Sequence, residues 1–216
     1  MSNINLHLGD CLEAMKEMPD NTYDLAIVDP PYGIDLANMN MGAGKSKKAS
    51  KIENRKWTSK DWDKHTPSRE YFDNLIRVSK EQIVWGGNYF ELPPCPHYII
   101  WDKEIPHGLS FADCEMAWTS FNKAPRMFRY SAYRDKKEKI HPTQKPVKLY
   151  EWLLDNYAKE GDKILDTHLG SGSIALACHN RKFDLDAWEI DKEYYDNAVE
   201  RLDTHKSQLT IFDLGG

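Results

Sequence analysis

The sequence predicts an α/β domain, a mostly parallel sheet with helices on both faces. Three observations predict it. Short apolar runs alternate with stretches of helical periodicity in the front and back thirds of the chain. Two of those runs stop at a carboxylate followed by turn residues: Asp29-Pro30-Pro31-Tyr32, and Asp166-Thr167-His168-Leu169-Gly170-Ser171-Gly172-Ser173. The length, 216 residues, suffices for one such domain with a sizeable core.

Taken in order, Leu6 to Leu8 reads as a short strand and Gly9-Asp10 as a turn. Cys11 to Met18 reads as a helix, with Leu12, Met15 and Met18 at helical spacing. Asp24 to Val28 is a buried strand. Pro30 and Pro31 end it, because neither carries an N–H for a sheet ladder. Asp29 therefore sits at a carboxyl strand end, the edge where open α/β sheets bind ligands. Gly33 to about His65 has no sustained periodicity and reads as a functional or mobile basic loop. Within it, Gly42 to Ser46 falls short of a phosphate-binding loop: the required earlier glycine is Met39.

Thr66-Pro67 is a helix start, and Tyr71, Phe72, Leu75 and Ile76 make the apolar face. Gln82 to Trp85 is a strand stopped by Gly86-Gly87, and His97 to Trp101 and Glu115 to Phe121 are two more. Residues from about 92 to 134 read as a small insertion. Pro146 opens a helix that buries Tyr150, Leu153, Leu154 and Tyr157. Lys163 to Leu165 is a strand leading into the glycine-rich turn, and Ile174 to Cys178 begins a helix. Leu185 to Trp188 is a strand ending at Glu189, Lys192 to Leu202 a helix, and Lys206 to Gly216 an exposed tail.

Composition narrows the function classes. Hydrophobic content of 40% with 29% charged residues is that of a folded soluble protein. No apolar run approaches the roughly 20 residues of a membrane span, and the first residues lack a basic and apolar leader. Cys11, Cys95, Cys114 and Cys178 are scattered, which points to reduced thiols in the cytoplasm rather than disulfides or zinc. The net charge of −5 is unevenly spread: residues 45–64 carry +5 and residues 123–148 carry +7, leaving −17 on the rest. Two such basic segments can track phosphates.

The two strand-end motifs carry the chemistry. Gly170 and Gly172 let backbone approach a ligand, and the helix that follows offers free N–H groups. Glu189, about 20 residues on, can accept both hydroxyl hydrogens of a ribose.

Together these motifs resemble the amino-group DNA methyltransferases, which methylate adenine N6 or cytosine N4 using S-adenosylmethionine. Asp-Pro-Pro-Tyr comes first and the glycine turn last, the circularly permuted order of the β-class. Leu8-Gly9-Asp10-Cys11, His141-Pro142-Thr143-Gln144-Lys145-Pro146 and Trp188-Glu189-Ile190-Asp191 extend the resemblance over residues 6–33 and 141–202. The chain departs from the family's Asp-Pro-Phe-x-Gly-Ser-Gly-Thr turn with Thr167, His168 and Ser173.

The resemblance implies a Rossmann-like S-adenosylmethionine-dependent methyltransferase fold. It implies that Asp29 and the Pro30 carbonyl hold the target amine, Pro31 stiffens the turn and Tyr32 stacks on a flipped base. Asp10, Cys11, Asp29, Thr143, Lys145, Asp166, His168, Gly170, Ser171, Gly172, Ser173 and Glu189 would hold the cofactor, with no metal required. Asp29 favours adenine, since cytosine-N4 members more often carry serine there; a non-catalytic cofactor-binding adaptor is the alternative of a different class. Phosphate contacts are expected from Lys47, Lys48, Lys51, Arg126, Arg129 and Arg134, with a second subunit as a possible aid to target reading. Gln208, Leu209, Ile211 and Phe212 resemble peptides that bind the bacterial sliding clamp, the alternative being a tail packed on its own domain.

Overall fold

The computed structural model describes residues 2–34, 66–105, 112–131, 134 and 144–213, with the side chains of 209–213 excepted. The Gly42–Ser46 segment, Lys47, Lys48, Lys51 and Thr143 lie outside the described residues, as do the side chains of Leu209, Ile211 and Phe212.

Among the described residues, eight strands form one sheet: β1 (Ile4–Leu8), β2 (Tyr23–Val28), β3 (Ser79–Trp85), β4 (Tyr98–Asp102), β5 (Cys114–Thr119), β6 (Arg126–Arg129), β7 (Lys163–Asp166) and β8 (Asp184–Glu189). Their spatial order is β1-β8-β7-β2-β3-β5-β4-β6. All pairs are parallel except β3–β5 and β5–β4, so β5 alone runs against the rest. The helices are α1 (Cys11–Glu17), α2 (Arg69–Val78), α3 (Val147–Tyr157), α4 (Ser173–Arg181) and α5 (Lys192–Asp213).

The pleat of β2 separates two cores. Leu25 and Ile27 face α3, α4 and α5, packing with Leu153, Ile174 and Leu202. Ala26 and Val28 face the other way, onto Met15, Tyr71, Phe72 and Leu75 of α1 and α2. Alternate residues of a strand point to opposite faces, so one strand apolar throughout serves both layers.

The elements differ from expectation at particular places. The cap of α2 is Ser68, whose hydroxyl accepts from Tyr71 N, rather than Thr66. The helix expected to stop at Leu202 runs on to Asp213; no glycine or proline interrupts residues 203–213, so residues 206–213 of the segment read as a tail have helical backbone. Within residues 92–134, the described residues put β4, β5 and β6 into the main sheet. Strand β6 has no counterpart in the sequence reading. It is a sheet edge with three of its four residues exposed, so it lacks an apolar pattern.

This topology creates a crevice. β7 and β2 are neighbours, yet β7 connects through α4 to β8 on one side and β2 through α2 to β3 on the other. The connections diverge at the carboxyl ends of β7 and β2, which is the ligand-binding switch point of doubly wound sheets.

Candidate active site

Register places the site residues. Leu165 of β7 pairs with Ala26 of β2, and Asp166 with Ala187 of β8. Asp29 and Glu189 therefore each lie two residues beyond the level of Asp166, on either side of it. Asp29 and Glu189 come together although they are far apart in sequence, with Asp166 buried between their strands. A partly open cavity of about 270 Å³ lies between Asp29 and Glu189, walled also by Pro31, Lys145, His168, Gly170 and Ser171. A larger, open depression of about 660 Å³ follows the outer face of α5 from Tyr195 to Gln208 and touches no strand end.

Asp29 is held from two sides. Its Oδ1 accepts from the Tyr32 hydroxyl at 2.7 Å, and its Oδ2 pairs with Lys145 Nζ at 2.5 Å. Burial raises the Asp29 pKa against the pull of Lys145, and the Glu115 charge adds to the rise. The Tyr32 ring stacks on Tyr89 at 5.0 Å and 11°, with Phe90 at its edge. Gly86, at φ +69, passes directly beside that ring; a Cβ there would lie 2.2 Å from Tyr32 Cε1. The glycine that ends β3 is thus what lets Tyr32 lie where it does.

The glycine turn is tied down by backbone donors. Glu189 Oε2 accepts from Gly170 N at 2.8 Å and Oε1 from Asp191 N at 2.9 Å. Asp166 accepts from His168 N at 3.0 Å, yet burial raises its pKa to about 8. The His168 ring is pushed down to about 4 by burial, with Nδ1 at 2.9 Å from Thr167 Oγ1. Thr167 in turn meets the Tyr71 hydroxyl at 2.6 Å. Thr167 thus joins the turn to α2 by hydrogen bonds. Arg201 of α5 clamps the turn from behind, donating to Ser171 O and Ser173 Oγ.

The structure separates the residues that the sequence reading grouped. Asp29, Pro31, Lys145, His168, Gly170, Ser171 and Glu189 wall the cavity. Asp166, Gly172 and Ser173 do not. Gly172 has φ +72, and a Cβ on it would meet Ala198 of α5 at 3.1 Å, so its missing side chain serves helix packing. Asp10 Oδ1 caps α1 by accepting from Leu12 N at 2.7 Å, and Cys11 is half-buried with its thiol pushed up to about 12 by burial. Arg126 and Arg129 stand exposed on β6, where Arg129 pairs with Asp102 at 3.3 Å; the Arg134 guanidinium lies 5.0 Å from the Tyr130 ring.

Several cavity residues escaped the sequence reading. Gln144, Leu169 and Tyr194 line the wall, as does Tyr150, which reads as a core residue of its helix. Ile190 lines it too and is 66% exposed, a large apolar side chain beside a strand-end carboxylate. That pairing was visible in the sequence as a signal. Glu115, which holds Lys145 at 3.1 Å, gave none.

Comparison with known proteins places the chain in a family. Residues 84–200, more than half of the chain, match the N6/N4-methyltransferase family model, described as DNA methylase. The chain is 24% identical to the Type II methyltransferase M.HpaI of Haemophilus parainfluenzae, over 95% of this chain and 75% of that protein. It is 23% identical to the Type II methyltransferase M2.MboI of Moraxella bovis, over 81% and 78% respectively. Among solved structures it resembles the M1.HpyAVI–SAM complex, with a TM-score of 0.60 and 21% identity over 92% of this chain and 100% of that one. It also resembles the PvuII DNA methyltransferase, named as cytosine-N4-specific, with a TM-score of 0.61 and 16% identity over 92% and 86%. The expected Rossmann-like methyltransferase fold is the one these neighbours share.

Proposed function

The chain belongs to the DNA methylase family, and from that premise we propose that it transfers a methyl group from S-adenosylmethionine to the exocyclic N6 amine of a flipped adenine in DNA. The observation that carries this reading is the Asp29 carboxylate, presented at the end of β2 into a cavity whose far wall is Glu189.

The residues fit the cofactor. Carboxylates at both ends of the cavity suit a cationic sulfonium, and the Gly170 N–H fixes Glu189 where it can accept from ribose hydroxyls. Ile190, Leu169 and Tyr150 offer apolar surface for a purine ring. S-adenosylmethionine supplies an already activated methyl group.

The protein's task is to prepare the amine. Its lone pair is delocalised into the ring, so the nitrogen is a weak nucleophile. Asp29 and the Pro30 carbonyl each accept one N–H, which favours a tetrahedral nitrogen with its lone pair directed at the methyl. Tyr32 offers a face to the base once it has left the duplex, a stack worth about 1–3 kcal/mol. Pro31 stiffens the turn between them.

DNA contacts are assigned to Arg126, Arg129 and Arg134 and to the basic stretch holding Lys47, Lys48 and Lys51, with Thr143 and Lys145 near the cofactor's methionine end. Target reading falls to residues 33–65 or about 92–134, with help from a second subunit, and Gln208, Leu209, Ile211 and Phe212 remain a proposed clamp-binding segment.

Cytosine N4 is the second reading, favoured by the similarity to a neighbour named as cytosine-N4-specific. The deciding experiment incubates the chain with DNA and methyl-labelled S-adenosylmethionine, then resolves nucleosides by mass spectrometry. N6-methyl-2′-deoxyadenosine is the expected product. N4-methyl-2′-deoxycytidine would replace the first reading with the second, and cofactor binding without any methylated nucleoside would favour the adaptor.

A further inference from the structure

Lys145 is 2% exposed, and its ammonium has two carboxylates, Asp29 at 2.5 Å and Glu115 at 3.1 Å. Glu115 in turn has two ammonium groups, Lys145 and Lys103, the latter at 2.7 Å. A row of alternating charge, Lys103–Glu115–Lys145–Asp29, therefore runs inward from the end of β4 to the end of β2. The reversed direction of β5 makes this possible. Its first residues lie at the carboxyl edge of every other strand, where Glu115 pairs in register with Trp101. The groups facing the row from other elements are the Tyr32 hydroxyl, 3.3 Å from Lys145, the Trp85 ring, 5.2 Å from it, Tyr150 of α3 and Asp166 of β7. Lys145 and Asp29 wall the cavity, while Glu115 lies behind them.

Resting on the methyl-transfer reading, we infer that Glu115 is a positioning residue: it holds Lys145 from behind and so keeps Asp29 available to the target amine. Lys145 already touches Asp29 at 2.5 Å, and Glu115 at 3.1 Å competes for the same ammonium charge. Without Glu115, Lys145 would answer to Asp29 alone and neutralise it more fully just where positive charge develops on the amine nitrogen, because an unpaired buried charge is costly. The charge balance is consistent: burial alone would lower the Lys145 pKa, but Asp29 and Glu115 together hold it above the ordinary value. Burial would raise Glu115, but its two lysines bring it down to about 2.

Glu115→Gln keeps the shape and removes the charge. Its expected effect is a kcat about tenfold lower, within the range for residues coupled in one ion-pair network, with S-adenosylmethionine affinity unchanged. The deficit should narrow as pH rises, since Lys145 with one carboxylate loses its proton sooner and relaxes its hold on Asp29. In a Lys145→Met background, Glu115→Gln should add no further loss. A wild-type kcat and pH profile, or an equal loss in the Lys145→Met background, overturns the inference. If Glu115→Gln does not fold, Glu115→Asp lengthens the Lys145 contact with the charge kept. A smaller deficit that narrows at high pH then supports the inference, and an unchanged kcat overturns it. Failure of the methyl-transfer reading looks different, since the wild type itself would then methylate no DNA. The network is read in that case from the ¹⁵N NMR titration of Lys145 Nζ: a pKa lowered by Glu115→Gln supports the inference and an unmoved one overturns it.

Discussion

Gly86→Ala tests how Tyr32 is held in place. An alanine Cβ would sit 2.2 Å from Tyr32 Cε1, well inside the 3.0 Å that real Cβ contacts essentially never breach. The backbone cannot relieve this cheaply, because Gly86 N donates to Met116 O at 2.9 Å and its φ is +69. The left-handed conformation costs a non-glycine residue about 1–2 kcal/mol. The ring must also move by about 1 Å, which disturbs its stack on Tyr89, worth about 0.5–1.5 kcal/mol. The hydrogen bond to the Asp29 carboxylate is at risk as well, at about 1.5–3 kcal/mol. These terms overlap, so the expected destabilisation is about 2–4 kcal/mol, a fall in Tm of roughly 5–15 °C for a chain of this size. Misplacing a positioning group by 1 Å costs about 10²-fold in rate. Thermal scanning reads the first effect and labelled methyl transfer to DNA the second. S-adenosylmethionine affinity, measured by calorimetry, should stay near wild type, because the turn from Asp166 to Ser173 does not touch Gly86. Folded Gly86→Ala with a rate within threefold of wild type would refute the placement of Tyr32, as would cofactor affinity falling in step with the rate.

Asp29→Ala should lower methyl transfer by about 10²–10³ while equilibrium dialysis still shows cofactor binding; normal methylation by this variant would sink the assignment. His168 has its pKa depressed to about 4 by burial, so the unfolded chain binds the extra proton first, and stability is lost as pH falls from about 6.5 toward 4. Replacing it by phenylalanine should flatten the dependence of Tm on pH across that window, and an unchanged slope would count against a buried neutral ring. Affinity for DNA should fall steeply with salt, and Arg126→Ala should reduce the slope of log affinity against log salt by about 1; a slope the same in both proteins removes Arg126 from the phosphate contacts.

Much of the site was legible because its signals are local. Asp29, Asp166 and Glu189 each end an apolar run, and a run broken by Pro30, by Gly170 or by a charged turn declares its end within a few residues. The two helical faces of α2 and α3 showed in the spacing of Tyr71, Phe72 and Leu75, and of Tyr150, Leu153 and Leu154. Helix ends and weak edge strands were less legible, since β6 lacks an apolar pattern and nothing local stops α5.

The amino-acid sequence by itself determined the α/β class, the two strand-end motifs and their order along the chain, because strand ends, turns and periodicity are written in neighbouring residues. Only the tertiary structure decided that β7 and β2 adjoin, which brings Asp29 and Glu189 to one cavity 160 residues apart. It also decided that β5 runs backwards, which sets Glu115 behind Lys145. The direction and register of a strand depend on partners distant in the chain, so no local pattern marks Glu115 as part of the site. The ion pairs of Glu115 with Lys103 and Lys145 exist only once the sheet has closed around them.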